Sequence, residues 1–447
     1  MRRPAILSYC LKRLVTKVVI IGGGFAGINA AKPLGSRSAV EVTLIDRSNH
    51  HLFQPLLYQV AMAGLSPADI AVPIRSLLSR YPNVAVVQDE IRTIDLDSRE
   101  VRSEGASWRY DYLLVATGAR HTYFGHDEWE ENAPGLKTLS QATEIRRRVL
   151  EAFERAENEA DPEIRRALLS FAIVGGGPTG VELAGAIGEM SRSTLAKDFR
   201  NIDPRRTRVV LLEAGERILP AFSEASAARA TRDLESLGVQ VWTHSAVTDV
   251  AHDHLRTGEE VLRTYTVLWA AGVRASDLGS QLTRETDGQD RVPVGDDLSL
   301  PGHPEVFVAG DLARAEWKSE STLPGVAPVA MQAGRYVAKT ILAELEGRPR
   351  RPFSYVDKGQ MATIGRSRAV VETGRFRFTG LFAWLTWLLI HIYYLSSFRN
   401  RLLVLVQWAW SYVTFGRGAR LIVNHEWRMH GGEVSLLKTD PPEDSTD

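Results

Sequence analysis

The chain has 447 residues, of which 44% are hydrophobic and 24% are charged, so it is long enough for two or three domains with substantial cores. Lysine and arginine (54) balance aspartate and glutamate (54), and the net charge gives no indication of a nucleic-acid partner. The single cysteine, Cys10, excludes an internal disulfide framework, a cysteine-rich metal site and an intramolecular dithiol relay.

Residues 1–16 contain Arg2, Arg3, Lys12 and Arg13 and no acidic residue. Their apolar run is too short and too interrupted for a secretory signal. We expect a disordered leader or a start codon placed too early, and a very short mitochondrial transit peptide is the alternative.

A short buried strand and a glycine loop open the ordered chain, from Lys17 to Gly27. The loop reads G-x-G-x-x-G, with Gly22 at a tight turn, Gly24 where a pyrophosphate approaches, and Gly27 where the helix packs on the strand. The helix is predicted from Phe25 to about Lys32, where Pro33 and Gly35 end it. Its N-terminus offers free N–H groups to phosphate.

A second strand, Val40–Ile45, ends at Asp46, where an acid that binds a ribose hydroxyl is expected. Strands at 84–87 and 112–116 follow, and the last ends in Ala116-Thr117-Gly118, at the strand end where ligands bind in open α/β sheets. A glycine-rich turn in an unrelated α/β domain is the alternative interpretation.

The same theme repeats after a charged helix predicted over 140–166. The strand Phe171–Val174, the loop Gly175–Gly180 and a helix from Val181 to Glu189 precede an acidic strand end at Glu213, with an insertion predicted at 192–206. Two fingerprints predict two dinucleotides, one a fixed flavin and the other an exchangeable nicotinamide.

Further strands are predicted at 266–269 and 306–308, followed by Ala270-Ala271-Gly272 and Ala309-Gly310-Asp311. A helix is predicted from Ala327 to Leu345, and a compact segment from Pro352 to Arg377.

The C-terminal region is apolar and aromatic. Residues 380–398 carry no formal charge, 402–415 are again apolar, and four arginines and no acid flank these runs. We expect an interfacial membrane anchor, because tryptophan, tyrosine and arginine suit the headgroup region. A single transmembrane helix at 380–398 and a buried core hairpin are the alternatives. The tail over 426–447 is predicted to be mostly disordered.

Taken together, these motifs resemble those of the type II NADH dehydrogenases, the single-subunit, non-proton-pumping NADH:quinone oxidoreductases within the two-dinucleotide-binding flavoproteins. The resemblance covers about residues 17–420. It rests on the glycine loops at 22–27 and 175–185, Ala116-Thr117-Gly118, Ala309-Gly310-Asp311, Phe53–Ala61, Asp357–Gly365 and the apolar, aromatic C-terminus. The more specific pieces are Phe53–Ala61, Lys358-Gly359 and the C-terminus.

The resemblance implies an α/β fold with two Rossmann-like domains and a C-terminal membrane-associated helical segment. The FAD domain would comprise 17–139 and 289–350, the inserted NADH domain 140–288, and the quinone and anchoring segment 351–425.

It also implies noncovalent FAD and exchangeable NADH. FAD would be bound by Gly22, Gly24, Phe25, Ala26, Gly27, Asp46, Arg47, Thr117, Gly118, Gly310 and Asp311. NADH would be bound by Gly175, Gly177, Pro178, Thr179, Gly180, Glu182, Glu213 and Gly272. An acid at Glu213 holds a ribose diol and repels a 2′-phosphate, which predicts NADH over NADPH, although Arg217 lies nearby.

Glu182, Lys358 and Gln332 are the catalytic candidates that the resemblance implies. Glu182 follows the second glycine loop, and a helix-start glutamate with no catalytic role is the alternative. Lys358 would pair with Glu182 or the quinone, or be a surface lysine. The quinone pocket would contain Ala327, Ala330, Met331, Gln332 and Lys358. Pro328 replaces the glutamine usual in the family, so the quinone contacts depart from the family pattern at this position.

The implied function is electron transfer from NADH through FAD to a membrane quinone, ubiquinone or menaquinone, without proton pumping. Without a cysteine pair, the electrons must pass from the flavin directly to an outside acceptor. A homodimer at the cytoplasmic face of the bacterial inner membrane is expected. A soluble reductase of a small redox protein and a nonenzymatic NADH-sensing scaffold, like apoptosis-inducing factor, are the alternatives.

Three histidines raise the question of a metal site. His50 and His51 are adjacent and point differently, and His391 lies in the aromatic C-terminal run. We expect no metal at any of them, and we expect His391 at the membrane interface.

Overall fold

The structure is a computed structural model that describes residues 15–317, 321–395, 397–414 and 418–423. The predicted leader as far as residue 14, Cys10 and the predicted tail at 426–447 lie outside the described residues.

The first of two parallel sheets has six strands. Hydrophobic side chains at Val18–Ile21 are buried at the centre, because helices cover one face of the sheet and a short antiparallel sheet over 93–109 covers the other. Five strands run parallel and one short edge strand is antiparallel. The order across the sheet is Ser299–Leu300, His303–Val308, Tyr112–Val115, Thr16–Ile21, Val40–Asp46 and Val84–Gln88.

Two helices cross closely on this sheet. The first runs from Phe25 to Leu34, with Pro33 in its last turn and Gly35 as its C-cap, so it ends two residues after the predicted Lys32. The second, Ala327–Leu345, has its predicted bounds and Pro328 in its first turn, where a missing N–H costs nothing. A Cβ added at Gly334 would lie 2.1 Å from the carbonyl oxygen of Ala26, so glycine permits the close crossing.

The second parallel sheet has four strands, in the order Val239–Trp242, Arg208–Leu212, Ser170–Val174 and Thr266–Trp269. Helices Pro178–Glu189 and Glu224–Ser236 pack on it. The helix predicted over 140–166 is two helices, Leu139–Asn158 and Pro162–Leu168. Asp161 caps the second of them by accepting from the N–H groups of Glu163 and Ile164, and Pro162 starts it.

Short elements complete this part of the chain. Strands Ala119–His121 and Val273–Ala275 pair antiparallel and join the two sheet units. Two antiparallel three-stranded sheets consist of Thr93–Asp95, Glu100–Arg102 and Ser107–Arg109, and of Val247–Val250, His254–Thr257 and Glu260–Arg263. Two-stranded pairs form from His50–Leu52 with Ala71–Pro73, Val292–Pro293 with Ala313–Arg314, and Glu316–Trp317 with Ser321–Thr322. Short helices lie at Gln54–Leu56, Leu57–Ala61, Pro67–Ile70, Ile74–Leu78, Asp127–Glu131, Met190–Thr194, Pro204–Arg206, Asp277–Gln281 and Gly310–Leu312.

The C-terminal unit is a three-stranded antiparallel sheet followed by two helices. The strands are Gln360–Gly365, Arg368–Thr373 and Phe376–Thr379. We call Leu381–Tyr394 the first terminal helix and Phe398–Thr414 the second terminal helix. The sheet lies against helix Pro178–Glu189 so closely that a Cβ added at Gly185 would lie 1.7 Å from the carbonyl oxygen of Ile364.

The region 380–398 is therefore not one helix, because the first terminal helix ends at Tyr394 after 14 residues. None of the helices within the described ranges is both long and apolar enough to cross a membrane. The alternative of a buried hairpin holds only for the inner side of the first terminal helix, where Ala383 is 0% and Trp387 2% exposed. On the outer side Phe382 is 75% and Leu389 65% exposed.

Candidate active site

The first glycine loop has two tight positions and one open one. Gly22 has φ +106°, and a Cβ added at Gly27 would lie 1.8 Å from the carbonyl oxygen of Gly22. A Cβ added at Gly24 would meet nothing within 4 Å. The loop is thus fixed by Gly22 and Gly27 and left open at Gly24, which fits a pyrophosphate against the N-terminus of helix Phe25–Leu34.

Asp46 and His51 hold this loop from the two sides. The N–H groups of Gly23 and Ser48 donate to the two carboxylate oxygens of Asp46, each at 2.6 Å. The ring of His51 is buried, and its Nδ1 lies 2.9 Å from the carbonyl oxygen of Gly23, which must accept. Burial lowers the pKa of His51 to about 4, so the ring is neutral at pH 7. A structural hydrogen bond thus accounts for His51.

Three further residues predicted to bind FAD, Phe25, Ala26 and Arg47, lie in or near this loop. Phe25 contacts His51 edge to face, with ring centroids 5.2 Å apart, and Ala26 packs against helix Ala327–Leu345. The side chain of Arg47 is exposed.

A cavity lies where the strands of the first sheet end, lined by Ala119, Gly310, Asp311 and Gly325, among others. Gly118 and Gly310 both have positive φ, +70° and +78°. The hydroxyl groups of Thr117 and Ser276 hydrogen-bond, and Nζ of Lys137 lies 3.8 Å from the carboxylate of Asp311. The donor set and the open glycines fit FAD.

Sequence reasoning missed Ser276 and Lys137, because neither belongs to a motif. Ser276 comes from the segment after strand Val273–Ala275, which the pairing with Ala119–His121 brings beside Thr117.

The second glycine loop repeats the geometry of the first. Gly175 has φ +107°, and a Cβ added at Gly180 would lie 1.9 Å from the carbonyl oxygen of Gly175. A Cβ added at Gly177 would meet nothing within 4 Å. Helix Pro178–Glu189 starts at Pro178, followed by half-buried Thr179. Oε2 of Glu213 accepts from the N–H of Gly176 at 2.7 Å, as Asp46 does from Gly23.

Two further predicted features lie at the same sheet edge. Gly272, with φ +70°, follows strand Thr266–Trp269. The guanidinium of Arg217 donates to the carbonyl oxygen of Pro220.

Glu182 lies in helix Pro178–Glu189, facing the C-terminal sheet. The backbone N–H of Thr363 donates to its carboxylate, but burial dominates and raises the pKa of Glu182 to about 8. The group is therefore mostly protonated at neutral pH and can hold or release a proton there. Such a shift in a cleft is characteristic of functional carboxyl groups.

Lys358 does not pair with Glu182, although the sequence analysis considered that pairing. Its ammonium group donates instead to the hydroxyl of Tyr394 at 2.8 Å, at the end of the first terminal helix. The side chain of Lys358 is exposed. The contact therefore joins the segment before the C-terminal sheet to the helix that follows the sheet.

Gln332 holds the same segment from the other side. Its amide donates to the carbonyl oxygen of Val356 at 2.9 Å and accepts from the N–H of Val356 at 3.0 Å. Ala330 and Met331 are both 7% exposed, and Ala327 begins the helix. The amide of Gln332 is thus occupied at both ends by backbone.

An aromatic cavity lies between helix Pro178–Glu189, the C-terminal sheet and the two terminal helices. Glu182, on helix Pro178–Glu189, lines one side of the cavity, and three tryptophans of the terminal helices line another side. The lining residues are Tyr58, Gln59, Met62, Gly64, Glu182, Ala186, Glu189, Thr363, Ile364, Gly365, Arg366, Trp384, Trp387, Trp408 and Ser411. None of the five residues predicted for the quinone pocket is among them.

His391 packs inward beside this cavity, so the expectation that it lies at a membrane interface is wrong. Its ring lies tilted against Trp387, with 4.3 Å between centroids, and its Nδ1 lies 2.7 Å from the carbonyl oxygen of Trp387. Burial lowers its pKa to about 4. Within the described part of the chain, the buried indole nitrogens of Trp387 and Trp408 have no hydrogen-bond partner.

Arg366 ties the cavity walls together and was not singled out from the sequence. Its N–H donates to Glu189 at 3.2 Å, and its guanidinium donates to the carbonyl oxygen of Ser411 at 2.8 Å. It therefore connects the end of helix Pro178–Glu189 to the second terminal helix.

Comparisons with known proteins cover nearly the whole chain. Residues 16–334 match the pyridine nucleotide-disulphide oxidoreductase family, and residues 358–418 match the NDH2 C-terminal domain. The chain is 44% identical over 426 residues to the type II NADH:quinone oxidoreductase Ndh of Mycobacterium tuberculosis, with 92% of this chain and 91% of the relative covered. It is 43% identical to NdhA of the same organism, with 91% and 89% covered.

Solved structures confirm the predicted α/β fold with two dinucleotide-binding units. NDH2 from Plasmodium falciparum in complex with NADH superposes with a TM-score of 0.81 at 19% identity, covering 92% of this chain and all of that chain. A sulfide:quinone oxidoreductase from Aquifex aeolicus gives 0.70 at 18% identity, covering 86% and 92%.

Proposed function

The chain belongs to the type II NADH:quinone oxidoreductase family, and from this membership we infer its own reaction. NADH gives up a hydride, and a quinone takes up the two electrons with two protons to become a quinol. In sum, NADH, one solvent proton and the quinone give NAD⁺ and the quinol. The soluble-reductase and scaffold alternatives have no observation in their favour.

Bound FAD would supply the chemistry of hydride acceptance and onward electron transfer. The open position at Gly24, the carboxylate of Asp46 and the strand ends around Gly310 and Asp311 would hold it. The second loop and Glu213 would orient NADH. A carboxylate that already accepts the loop N–H can also accept from ribose hydroxyls, because each of its oxygens has two acceptor positions.

We assign Glu182 the role of holding a proton close to where the quinone is reduced. Its side chain is half-buried in the wall of the aromatic cavity and has no ion pair among the described residues, and removal from water raises its pKa to about 8. A neutral carboxyl group can donate a hydrogen bond to a quinone oxygen, and a proton must reach that oxygen during reduction.

We propose that the aromatic cavity brings the quinone to Glu182. The observation that carries this proposal is that one cavity is lined by Glu182 at one side and by Trp384 and Trp408 of the terminal helices at the other. Aromatic walls suit a flat ring, and the indole N–H groups are donors that a quinone oxygen could accept from.

We further propose that the outer sides of the terminal helices lie on a membrane. Their exposed apolar side chains form stripes at spacings of three to five residues. On the first terminal helix these are Leu381, Phe382, Leu385, Leu389 and Tyr393, and on the second Leu402, Leu403, Leu405, Val406 and Trp410. Arg399 is exposed beside them, and the region has no acidic residue to repel anionic lipid. The homodimer and the cytoplasmic face remain predictions.

Trp408 and Trp410 form a matched pair that tests both proposals, because they lie two residues apart on the second terminal helix. Trp408 lines the cavity, whereas Trp410 is 69% exposed. We expect Trp408→Ala to raise the KM for a short-chain, water-soluble quinone severalfold, with unchanged sedimentation with vesicles that contain anionic phospholipid. Trp410→Ala should weaken vesicle binding and leave that KM unchanged.

The opposite pattern would contradict both assignments. An unchanged quinone KM in Trp408→Ala would place the quinone elsewhere, for example at the predicted pocket around Gln332.

A further inference from the structure

Phe124 is an exposed aromatic residue at an unusual place. It lies in the loop after strand Ala119–His121, in the part of the chain that precedes the second sheet, and 66% of its surface is exposed. Its ring nevertheless lies against Gly272, which follows the strand Thr266–Trp269 of the second sheet. A Cβ added at Gly272 would lie 2.5 Å from Cζ of Phe124 and 2.7 Å from Cγ2 of Thr122.

The backbone at Phe124 is strained. Its φ is +54°, in the left-handed region that residues with bulky side chains rarely adopt. The indole N–H of Trp269 donates to the carbonyl oxygen of Thr122 at 2.9 Å, and the N–H of Phe124 donates to the hydroxyl of Thr122. Strain of this kind persists where the surroundings impose it, and it is concentrated at binding and active sites.

The strand order of the second sheet determines which half of NADH would lie nearest to Phe124. Glu213 ends strand Arg208–Leu212 and would take the adenosine ribose, and the glycine loop after Ser170–Val174 would take the pyrophosphate. The next strand on that side is Thr266–Trp269, which ends beside the loop, since a Cβ added at Gly175 would lie 2.6 Å from the nitrogen of Ala271. The nicotinamide riboside would therefore lie over 270–272.

We propose that Phe124 packs against the nicotinamide riboside of NADH and orients it. The ring is already in place over Gly272, and its exposed face is free for a ligand that lies along the sheet edge. This inference rests on the proposed NADH site at the second glycine loop. It makes Phe124 a positioning residue supplied from outside the sheet that binds the rest of the dinucleotide.

Binding of NAD⁺ and of ADP to the FAD-loaded protein, measured by calorimetry, tests this assignment without turnover. ADP contains only the adenine half, so it should not sense Phe124. We expect Phe124→Ala to raise the Kd of NAD⁺ by about three- to tenfold and that of ADP by less than about twofold, the range expected for one aromatic contact. Phe124→Tyr, which keeps the ring, should bind both like the wild type.

Phe124→Gly separates a binding role from a structural one. Glycine adopts a positive φ without strain, so this variant should melt no lower than the wild type and still lose NAD⁺ affinity. Equal weakening of NAD⁺ and ADP, or unchanged NAD⁺ binding in both Phe124→Ala and Phe124→Gly, would overturn the proposal. A wild type that binds neither ligand would instead overturn the NADH site itself.

Discussion

The backbone N–H of Thr363 donates to the carboxyl group of Glu182, so that a strand of the C-terminal sheet touches the helix that follows the second glycine loop. The single hydrogen bond favours the charged form of Glu182, and burial favours the neutral form more strongly. The C-terminal sheet therefore both covers this carboxyl group and determines the pH at which it loses its proton.

Glu182 should make the stability of the protein depend on pH. Because its folded pKa of about 8 is above the usual 4.5, the stability that it contributes is complete below pH 4.5 and is lost as pH rises through about 8. Across that window the slope from this group is at most about 1.4 kcal/mol per pH unit. Urea unfolding between pH 5.5 and 8.5 should show a flatter profile for Glu182→Gln than for the wild type.

Glu104→Gln is a suitable control, because the side chain of Glu104 is 85% exposed. Its profile should parallel that of the wild type. Parallel profiles for Glu182→Gln and wild type would mean that Glu182 ionises normally.

Gly177 and Gly180 should respond in opposite ways to alanine. Gly180→Ala places a Cβ 1.9 Å from the carbonyl oxygen of Gly175, so the melting temperature should fall by several degrees. Gly177→Ala meets nothing within 4 Å and has an ordinary φ of −69°, so the protein should stay as stable but bind NAD⁺ more weakly. Calorimetry with NAD⁺ and thermal melts of both variants would measure these opposite effects. Loss of stability in Gly177→Ala would contradict this geometry.

Glu213 and Asp46 should separate the two nucleotides. Loss of a charged acceptor costs about 1.5–3 kcal/mol, so Glu213→Ala should weaken NAD⁺ binding by about ten- to a hundredfold. FAD content, read from the flavin absorbance of the purified protein, should stay at the wild-type level. Asp46→Ala should do the reverse. Equal loss of both nucleotides in Glu213→Ala would mean that the second unit is misassigned.

We expect the main contribution of Gln332 to be to the stability of the fold rather than to quinone reduction. Gln332→Ala removes two hydrogen bonds to Val356 and should lower the free energy of unfolding by about 1–2 kcal/mol. Lys339→Ala, at an exposed position of the same helix, is the control and should be neutral. If Gln332→Ala leaves stability unchanged and still slows quinone reduction, Gln332 contacts the quinone directly.

The sequence was sufficient for the two glycine loops, because their chemistry is local. A turn, a close helix contact and an acid at the next strand end lie within a short stretch, and each is set by residue type. The break at Asp161 was missed although the cap and Pro162 are also local, because the Ala-rich, charged pattern continues across it.

The environment of the carboxyl and aromatic groups could not be predicted from the sequence. The burial of Glu182 depends on Ile364 and Thr363, about 180 residues away along the chain. Lys358 belongs to a family motif, yet its partner is Tyr394 of the next unit. His391 and Trp387 face inward because the first terminal helix packs against Phe53 and Tyr58, which the hydropathy of residues 380–398 does not reveal.

The inner side of the first terminal helix has a practical consequence for protein engineering. Trp387 and Ala383 are part of the core, so deleting everything after Arg377 would strip the wall from the aromatic cavity and expose Tyr58 to solvent. The proposed membrane contact should therefore be removed by polar substitution on the outer sides of the terminal helices, for example at Phe382 and Leu389, with the first terminal helix retained. Such a variant would test the proposed membrane contact separately from catalysis, because the cavity and its walls would be unchanged.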